Sequence, residues 1–157
     1  MAVKAKPDGY HSVAPYLIVR GGAAAIDYYK KALGAEELFR MPGPGGTIGH
    51  AEIRIGDSIV MLADEPPGGE WRSPQSLGGS PVGLLIYVED VDTRFNQALA
   101  AGGKVIKPLA DQFYGDRSGT LQDPFGHQWT IATHVEDLSP EEMKRRMDEM
   151  KKKGPGE

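Results

Sequence analysis

The chain nearly repeats itself at one fixed offset. Shifted by 69 residues, Val13 falls on Val82, Leu17 on Ile86, Val19 on Val88, Ala32 on Ala101, Gly34 on Gly103, Leu62 on Ile131 and Ala63 on Ala132. The identities are few, yet the element types align too: apolar strand, helix, glycine, strand, turn, strand. Two half-domains that each leave an apolar sheet face uncovered can bury it by packing together. Where two such sheets meet, a shared cleft is the natural place for a ligand.

With 157 residues, the chain can form one domain with a sizeable core. Its net charge of −4, with Lys and Arg scattered apart from one C-terminal cluster, offers no electrostatic reason to expect a nucleic-acid partner. The absence of cysteine excludes disulfides, thiolate metal sites and thiol nucleophiles. Residues 1–9 hold no apolar signal core, and no apolar run approaches the roughly 20 residues that span a bilayer. The expectation is a cytoplasmic protein without a membrane partner.

The pattern predicts a loose lead-in over residues 1–10 and a strand over 13–20 with Leu17 and Val19 on one face. A helix follows over 22–33, because Ala25, Tyr28, Tyr29 and Ala32 recur at helical spacing and Gly34 suits its C-terminal cap. Next come a strand over 36–41, a breaker loop over 41–46, and a hairpin of 47–55 and 58–63 around the turn Gly56-Asp57. Residues 64–81, rich in Pro, Gly and Ser, read as an aperiodic linker. Trp71 within it is a lid, an interface anchor or a self-packed loop residue. The second copy has strands over 82–89, 103–109, 114–122 and 127–133, with a helix over 91–101 capped by Asp90. From Ser139 a helix begins with Pro140 at its first position and Glu142 at the capping-box position. Its stripe of Met143, Met147 and Met150 suits docking on this domain or on a partner copy. The expected boundaries are one domain over 1–138 (module one 11–64, linker 65–81, module two 82–138) and a helix and tail over 139–157.

Two stretches carry a resemblance: IGHAEIRIGDSIVMLAD (48–64) and YGDRSGTLQDPFGHQWTIATHVEDLSPEE (114–142). With a βαβββ unit used twice, the chain resembles the vicinal oxygen chelate superfamily of glyoxalase I, bleomycin-resistance proteins, extradiol dioxygenases and fosfomycin-resistance enzymes, in particular its PhnB-like branch. The resemblance implies an α+β fold of two βαβββ modules forming a cupped sheet, with the C-terminal helix added, and a homodimer whose clefts are often built from halves of two chains. It also implies a divalent metal held at four strand positions, which fall here on Ala14, Met61, Gly83 and Thr130. An alanine, a glycine and a thioether cannot satisfy a cation that wants imidazole and carboxylate. No metal and no other cofactor is therefore expected, and a glyoxalase mechanism lacks its essential part.

The hairpin register shows what stands there instead. A turn at Gly56-Asp57 sets Ile55 opposite Ser58, Arg54 opposite Ile59, Glu52 opposite Met61 and His50 opposite Ala63. Directly opposed residues share a face. If Met61 faces the cleft, so do His50, Glu52 and Arg54, while Ala51, Ile53, Val60 and Leu62 face the helices. Parity adds Tyr16, Ile18, Leu85, Tyr87, Gln128, Thr130 and Ala132 to the cleft face, and places His11, His127 and His134 poorly for a relocated metal. Tyr114 and Arg117 form a further polar group, either an acid and anion clamp or, through Asp116 and Arg117, a brace for the loop. His-x-Glu-x-Arg is also what a solvated hairpin face looks like.

Three functions remain open: metal-independent binding of a small organic ligand, with Arg54 and His50 engaging it and Glu52 orienting one of them; a glyoxalase-like lyase or isomerase using His50 and Glu52 as acid and base; or a structural dimer with a vestigial cleft. The ligand-binding set is Tyr16, His50, Glu52, Arg54, Met61, Tyr87, Tyr114, Arg117, Gln128 and Thr130.

Overall fold

Alternation of apolar and polar residues sorts each hairpin into two faces, and burial follows that sorting. In the computed structural model, which describes residues 2–154, Ala51, Ile53, Val60 and Leu62 are all buried as the register requires. Module one comprises β1 (Tyr16–Val19), α1 (Gly22–Leu33), β2 (Glu36–Pro42), β3 (Ile48–Ile55) and β4 (Ser58–Asp64). Module two comprises β5 (Gly83–Tyr87), α3 (Val91–Ala100), β6 (Lys104–Asp111), β7 (Asp116–Gln122) and β8 (Gln128–His134). Each builds a four-stranded mixed sheet, ordered β1-β4-β3-β2 and β5-β8-β7-β6. The hairpin pairs Ile55 with Ser58, Arg54 with Ile59 and Glu52 with Met61 as expected, and Met61 stands beside Tyr16 on β1. His50 pairs with Met41 on β2. Pairing of β3 with β4 ends at Ala51 and Leu62, so the expected His50–Ala63 pair is not made.

Local chemistry explains the remaining boundaries. The first strand is shorter than expected because Pro15 has no N–H to pair, although its carbonyl accepts the Met61 N–H at 2.9 Å. Helix α1 stops where Gly34 turns left-handed at φ 67°, its N–H bonded to the Tyr29 carbonyl. Asp90 caps α3 through the Thr93 N–H. The linker contains one turn of helix, α2 (Pro74–Leu77), capped by Ser73, which is a correction to an aperiodic linker. Ser73 is fully buried, and Gly126, at φ 93°, lets the turn before β8 approach Pro74 too closely for any Cβ.

The C-terminal helix α4 (Pro140–Lys153) starts as expected, with the Ser139 hydroxyl accepting the Glu142 N–H. The capping box is not closed, because the Glu142 carboxylate turns to Arg145 and Arg146. Arg146 ties the helix to the domain through Glu136 and the Phe113 carbonyl. Within one chain Met143 is partly buried while Met147 and Met150 stay exposed, so the methionine stripe is covered only at its start. Residues 155–157 lie outside the described part.

The modules share one core on the helix side of both sheets. Tyr29 of α1 lies against Trp129 of β8, ring centroids 5.5 Å apart, and both are buried. The Tyr28 hydroxyl donates to the Ala98 carbonyl on α3 at 3.1 Å. Asp123 is the hub: Oδ2 accepts the Tyr29 hydroxyl (2.6 Å) and the Trp129 indole N–H (2.9 Å), and Oδ1 accepts the backbone N–H groups of Phe125 and His127. Burial, then the Asp123 charge, raises the Tyr29 pKa well above its ordinary value, so the phenol stays a donor. Replacing Tyr29 with Phe strips one donor from a buried carboxylate and should cost about 1–3 kcal/mol. Urea unfolding followed by far-UV circular dichroism reads this, and Asp123→Ala should cost more because it orphans every donor at once.

Candidate functional site

On the face of the first sheet away from the helices, β1 and β3 bring Tyr16, His50 and Glu52 into one chain of hydrogen bonds. Tyr16 Oη lies 2.8 Å from His50 Nδ1, and His50 Nε2 lies 3.1 Å from Glu52 Oε2. The tautomer that satisfies both contacts carries its proton on Nε2, gives it to Glu52, and accepts the Tyr16 hydroxyl at Nδ1. The second Glu52 oxygen accepts the hydroxyl of Tyr10. Glu52 is 5% exposed, and burial raises its pKa. Met61 stands opposite Glu52 and the Phe39 ring lies 5.8 Å from His50, so the polar chain is bordered by soft and aromatic groups.

The lead-in was expected to be loose, and Tyr10 corrects this by crossing from residue 10 to the middle of β3. Coil residues carry no periodicity from which such a crossing could be read. Arg54 stands apart from the hydrogen-bonded chain. It shares the Glu52 face but sits at the turn end, half-exposed, with Glu36 as its carboxylate partner at 3.7 Å, and it makes no bond to His50 or Glu52.

Trp71 closes one side of this face. Its ring packs edge-on against Tyr16, centroids 5.0 Å apart, over a cavity of about 470 Å³ walled by Tyr16, Ile18, Ile48, Ala63 and Pro66. The linker is held in this position by its own network. The Ser73 and Ser76 hydroxyls both donate to Glu65 Oε2, and Arg20 reaches the Ser76 hydroxyl at 2.6 Å and Glu65 at 3.3 Å. The neighbouring Asp64 accepts three backbone N–H groups, from Gly21, Gly22 and Ile48, at 2.7–2.9 Å. It therefore anchors the start of α1 to the start of β3. Of the open readings for Trp71, the structure favours a residue seated on the candidate site.

The second sheet carries a separate polar group. The Tyr87 hydroxyl donates to Asp116 Oδ2 at 2.8 Å, and His134 Nδ1 lies 2.8 Å from Asp116 Oδ1. Because β7 pairs Asp116 with His134 and Thr120 with Thr130, His134 does share the Thr130 face, and the expectation that parity excludes it is wrong. Counting on from Thr130 through Ala132 would have found it. Arg117 does not pair with Asp116: it bridges Asp92 on α3 and Asp111 on β6. Tyr114 meets Phe113 edge to face, and Gln128 lies between Gly83 and Gln122. No hydrogen bond among the described residues joins this group to Tyr16, His50 and Glu52.

Comparison with known proteins decides the family. Residues 9–131 match the Glyoxalase/Bleomycin resistance protein/Dioxygenase superfamily. The chain belongs to this superfamily. The Mycobacterium tuberculosis H37Rv protein Rv0887c is 43% identical over 150 residues, covering 94% of this chain and 86% of that one. TioX from Micromonospora sp. ML1 superposes with a TM-score of 0.62 at 28% identity, over 80% of this chain and 99% of its own. A Bacillus cereus PhnB protein, described as a putative 3-demethylubiquinone-9 3-methyltransferase, superposes at 0.61 with 21% identity over 78% of this chain and 99% of its own, a likeness of fold.

The metal that the superfamily implies does not fit the positions where its ligands would stand. Ala14 and Gly83 offer no donor atom, Met61 offers a thioether, and the Thr130 hydroxyl is shared with Thr120 at 2.8 Å. His50 and Glu52 face each other, and no third histidine, aspartate or glutamate converges with them among the described residues. No helix among the described residues is long and apolar enough to cross a membrane.

The bonds to Asp116, then to Asp137, raise the His134 pKa by holding the imidazolium. Proton-detected NMR should place its titration above the usual histidine value near 6.5, and Asp116→Asn should move it back down. Since the folded-state pKa is the higher one, the stability contribution is complete below about pH 6.5 and fades as pH rises through the folded value. Wild type and His134→Ala should therefore differ more at about pH 6 than at about pH 9.

Proposed function

We propose that this chain binds a small, partly aromatic organic molecule on the open face of its first sheet, without a metal ion. The observation that carries this reading is the pairing of Trp71 with Tyr16 over the cavity, where Tyr16 also joins the His50–Glu52 chain. An apolar concavity with a few converging polar groups is the usual makeup of a small-molecule site. Ala14, Met61, Gly83 and Thr130 support the metal-free part, since no set of hard ligands stands where the superfamily needs one. Ile18 extends the ligand set of the first sheet. Tyr87, Tyr114, Gln128 and Thr130 remain its candidates on the second.

The ligand site is closed by a second copy in this reading. Leu85 and Tyr87 on β5 and Val105 and Ile106 on β6, the two outer strands of the second sheet, are about half-exposed or more, apolar surface that a partner copy can cover. Light scattering should give a dimer, and Leu85→Glu with Tyr87→Glu should shift it toward monomer.

A second reading is favoured by one observation, the unbroken chain Tyr16–His50–Glu52–Tyr10. A buried carboxylate with a raised pKa beside an imidazole is a fair general base, so a lyase or isomerase of the glyoxalase type fits as well. Thermal-shift titration with divalent cations and an organic-ligand library separates the two. Metal-free binding predicts stabilisation by organic ligands alone, lost in Trp71→Ala. Stabilisation by a cation that disappears in His50→Ala overturns the metal-free reading. Turnover lost in His50→Ala with binding retained establishes the enzyme.

A further inference from the structure

The N-terminal segment shows what the buried carboxylate of this site accepts. Residues 2–9 are exposed, and the chain turns at Gly9 (φ 85°) with the Tyr10 N–H bonded to the Pro7 carbonyl. Tyr10 then reaches across the sheet and gives its hydroxyl to Glu52. Among the described residues, His11 adds a hydrogen bond to the sheet's edge at the Asp57 carbonyl, 3.0 Å, on the exposed turn. Residues 2–9 are exposed, and a coil held to the sheet by few hydrogen bonds opens more readily than the core beneath it.

The surroundings specify the chemistry further. Tyr16, Phe39 and Trp71 flank the polar chain with ring edges and faces suited to a planar molecule. The charged groups lining the cavity are the carboxylates of Asp64 and Glu65, and Glu52 is reached from Tyr16 through His50. Arg54, the cation that could have received an anion, is drawn to Glu36, and Arg20 is committed to Glu65 and Ser76. A second carboxylate brought to Glu52 would meet like charge. A neutral ring bearing a hydroxyl donor meets an acceptor instead.

We infer that the ligand is a neutral phenol-type aromatic whose hydroxyl donates to Glu52, and that Tyr10 is an internal stand-in which the ligand displaces. This inference rests on the proposed small-molecule site and names its ligand class. A site held by Tyr10 for about nine-tenths of the time weakens the apparent affinity of a competing ligand roughly tenfold.

The experiment is an NMR titration of the full-length protein with three probes of one shape: 4-methylphenol, 4-methylanisole and 4-methylbenzoate. The expected result is shifts centred on Tyr10, His50 and Glu52 with 4-methylphenol, weak binding of the anisole and none of the benzoate. Tyr10→Ala, which lies outside every helix and strand, should bind 4-methylphenol about tenfold more tightly. Tyr10→Phe should gain part of that, and Glu52→Gln should lose affinity while keeping a folded spectrum. Equal binding of phenol and anisole, preference for the benzoate, or an affinity unchanged by Tyr10→Ala overturns the inference and leaves the small-molecule site standing. If no organic ligand, these probes included, binds either wild type or a folded Tyr10→Ala protein, both readings fall.

Discussion

The Asp123 carboxylate is the interaction on which the rest of this structure depends. It lies in the turn of module two, yet its Oδ2 receives the hydroxyl of Tyr29 from the helix of module one. A buried carboxylate must have its lone pairs filled, and here donors from both halves of the repeat fill them. The modules are thereby joined through their helix sides, with the rings of Tyr29 and Trp129 packed at a tilt beside it. Each sheet keeps its other face away from the helices. The turn is further clamped by Pro74 against Gly126, which fixes the linker and, through Glu65 and Ser73, the loop that carries Trp71.

The candidate site owes its character to where its charges go. Glu52 is buried and lacks an arginine, so its oxygens are occupied by an imidazole and a phenol. Arg54 points toward the same face in the pattern but is long enough to reach Glu36 at the turn end. On the second sheet, Arg117 likewise leaves Asp116 for Asp92 and Asp111. In both sheets the carboxylate that stays inside is satisfied by a tyrosine and a histidine. The result is a polar site that is neutral or acidic rather than cationic, which is a constraint on any ligand.

Much of this was legible in the sequence where period and opposition carry the information. The helix over 22–33, the cap at Asp90, the turn at Gly56-Asp57 and the Glu52–Met61 opposition all come from local rules that tertiary packing had no reason to override. His134 was legible too, since it follows Thr130 by an even count along β8. Tyr10 was not, because it acts from a coil across more than forty residues of chain. The short helix at Pro74 was hidden among Pro, Gly and Ser, where one buried serine cap decides the conformation.

The sequence by itself determined the repeat, the two faces of each hairpin, the lack of metal ligands at Ala14, Met61, Gly83 and Thr130, and the presence of His50 and Glu52 on one face. These follow from side-chain chemistry and from the two-residue period of a strand, which needs no partner to be expressed. Only the tertiary structure decided which of those groups meet. Whether an arginine serves a ligand or a neighbouring glutamate depends on distances across strands, and whether a lead-in is loose depends on one hydroxyl finding one buried carboxylate. Long, flexible polar side chains choose partners by proximity in space, and a sequence encodes that proximity only through the fold.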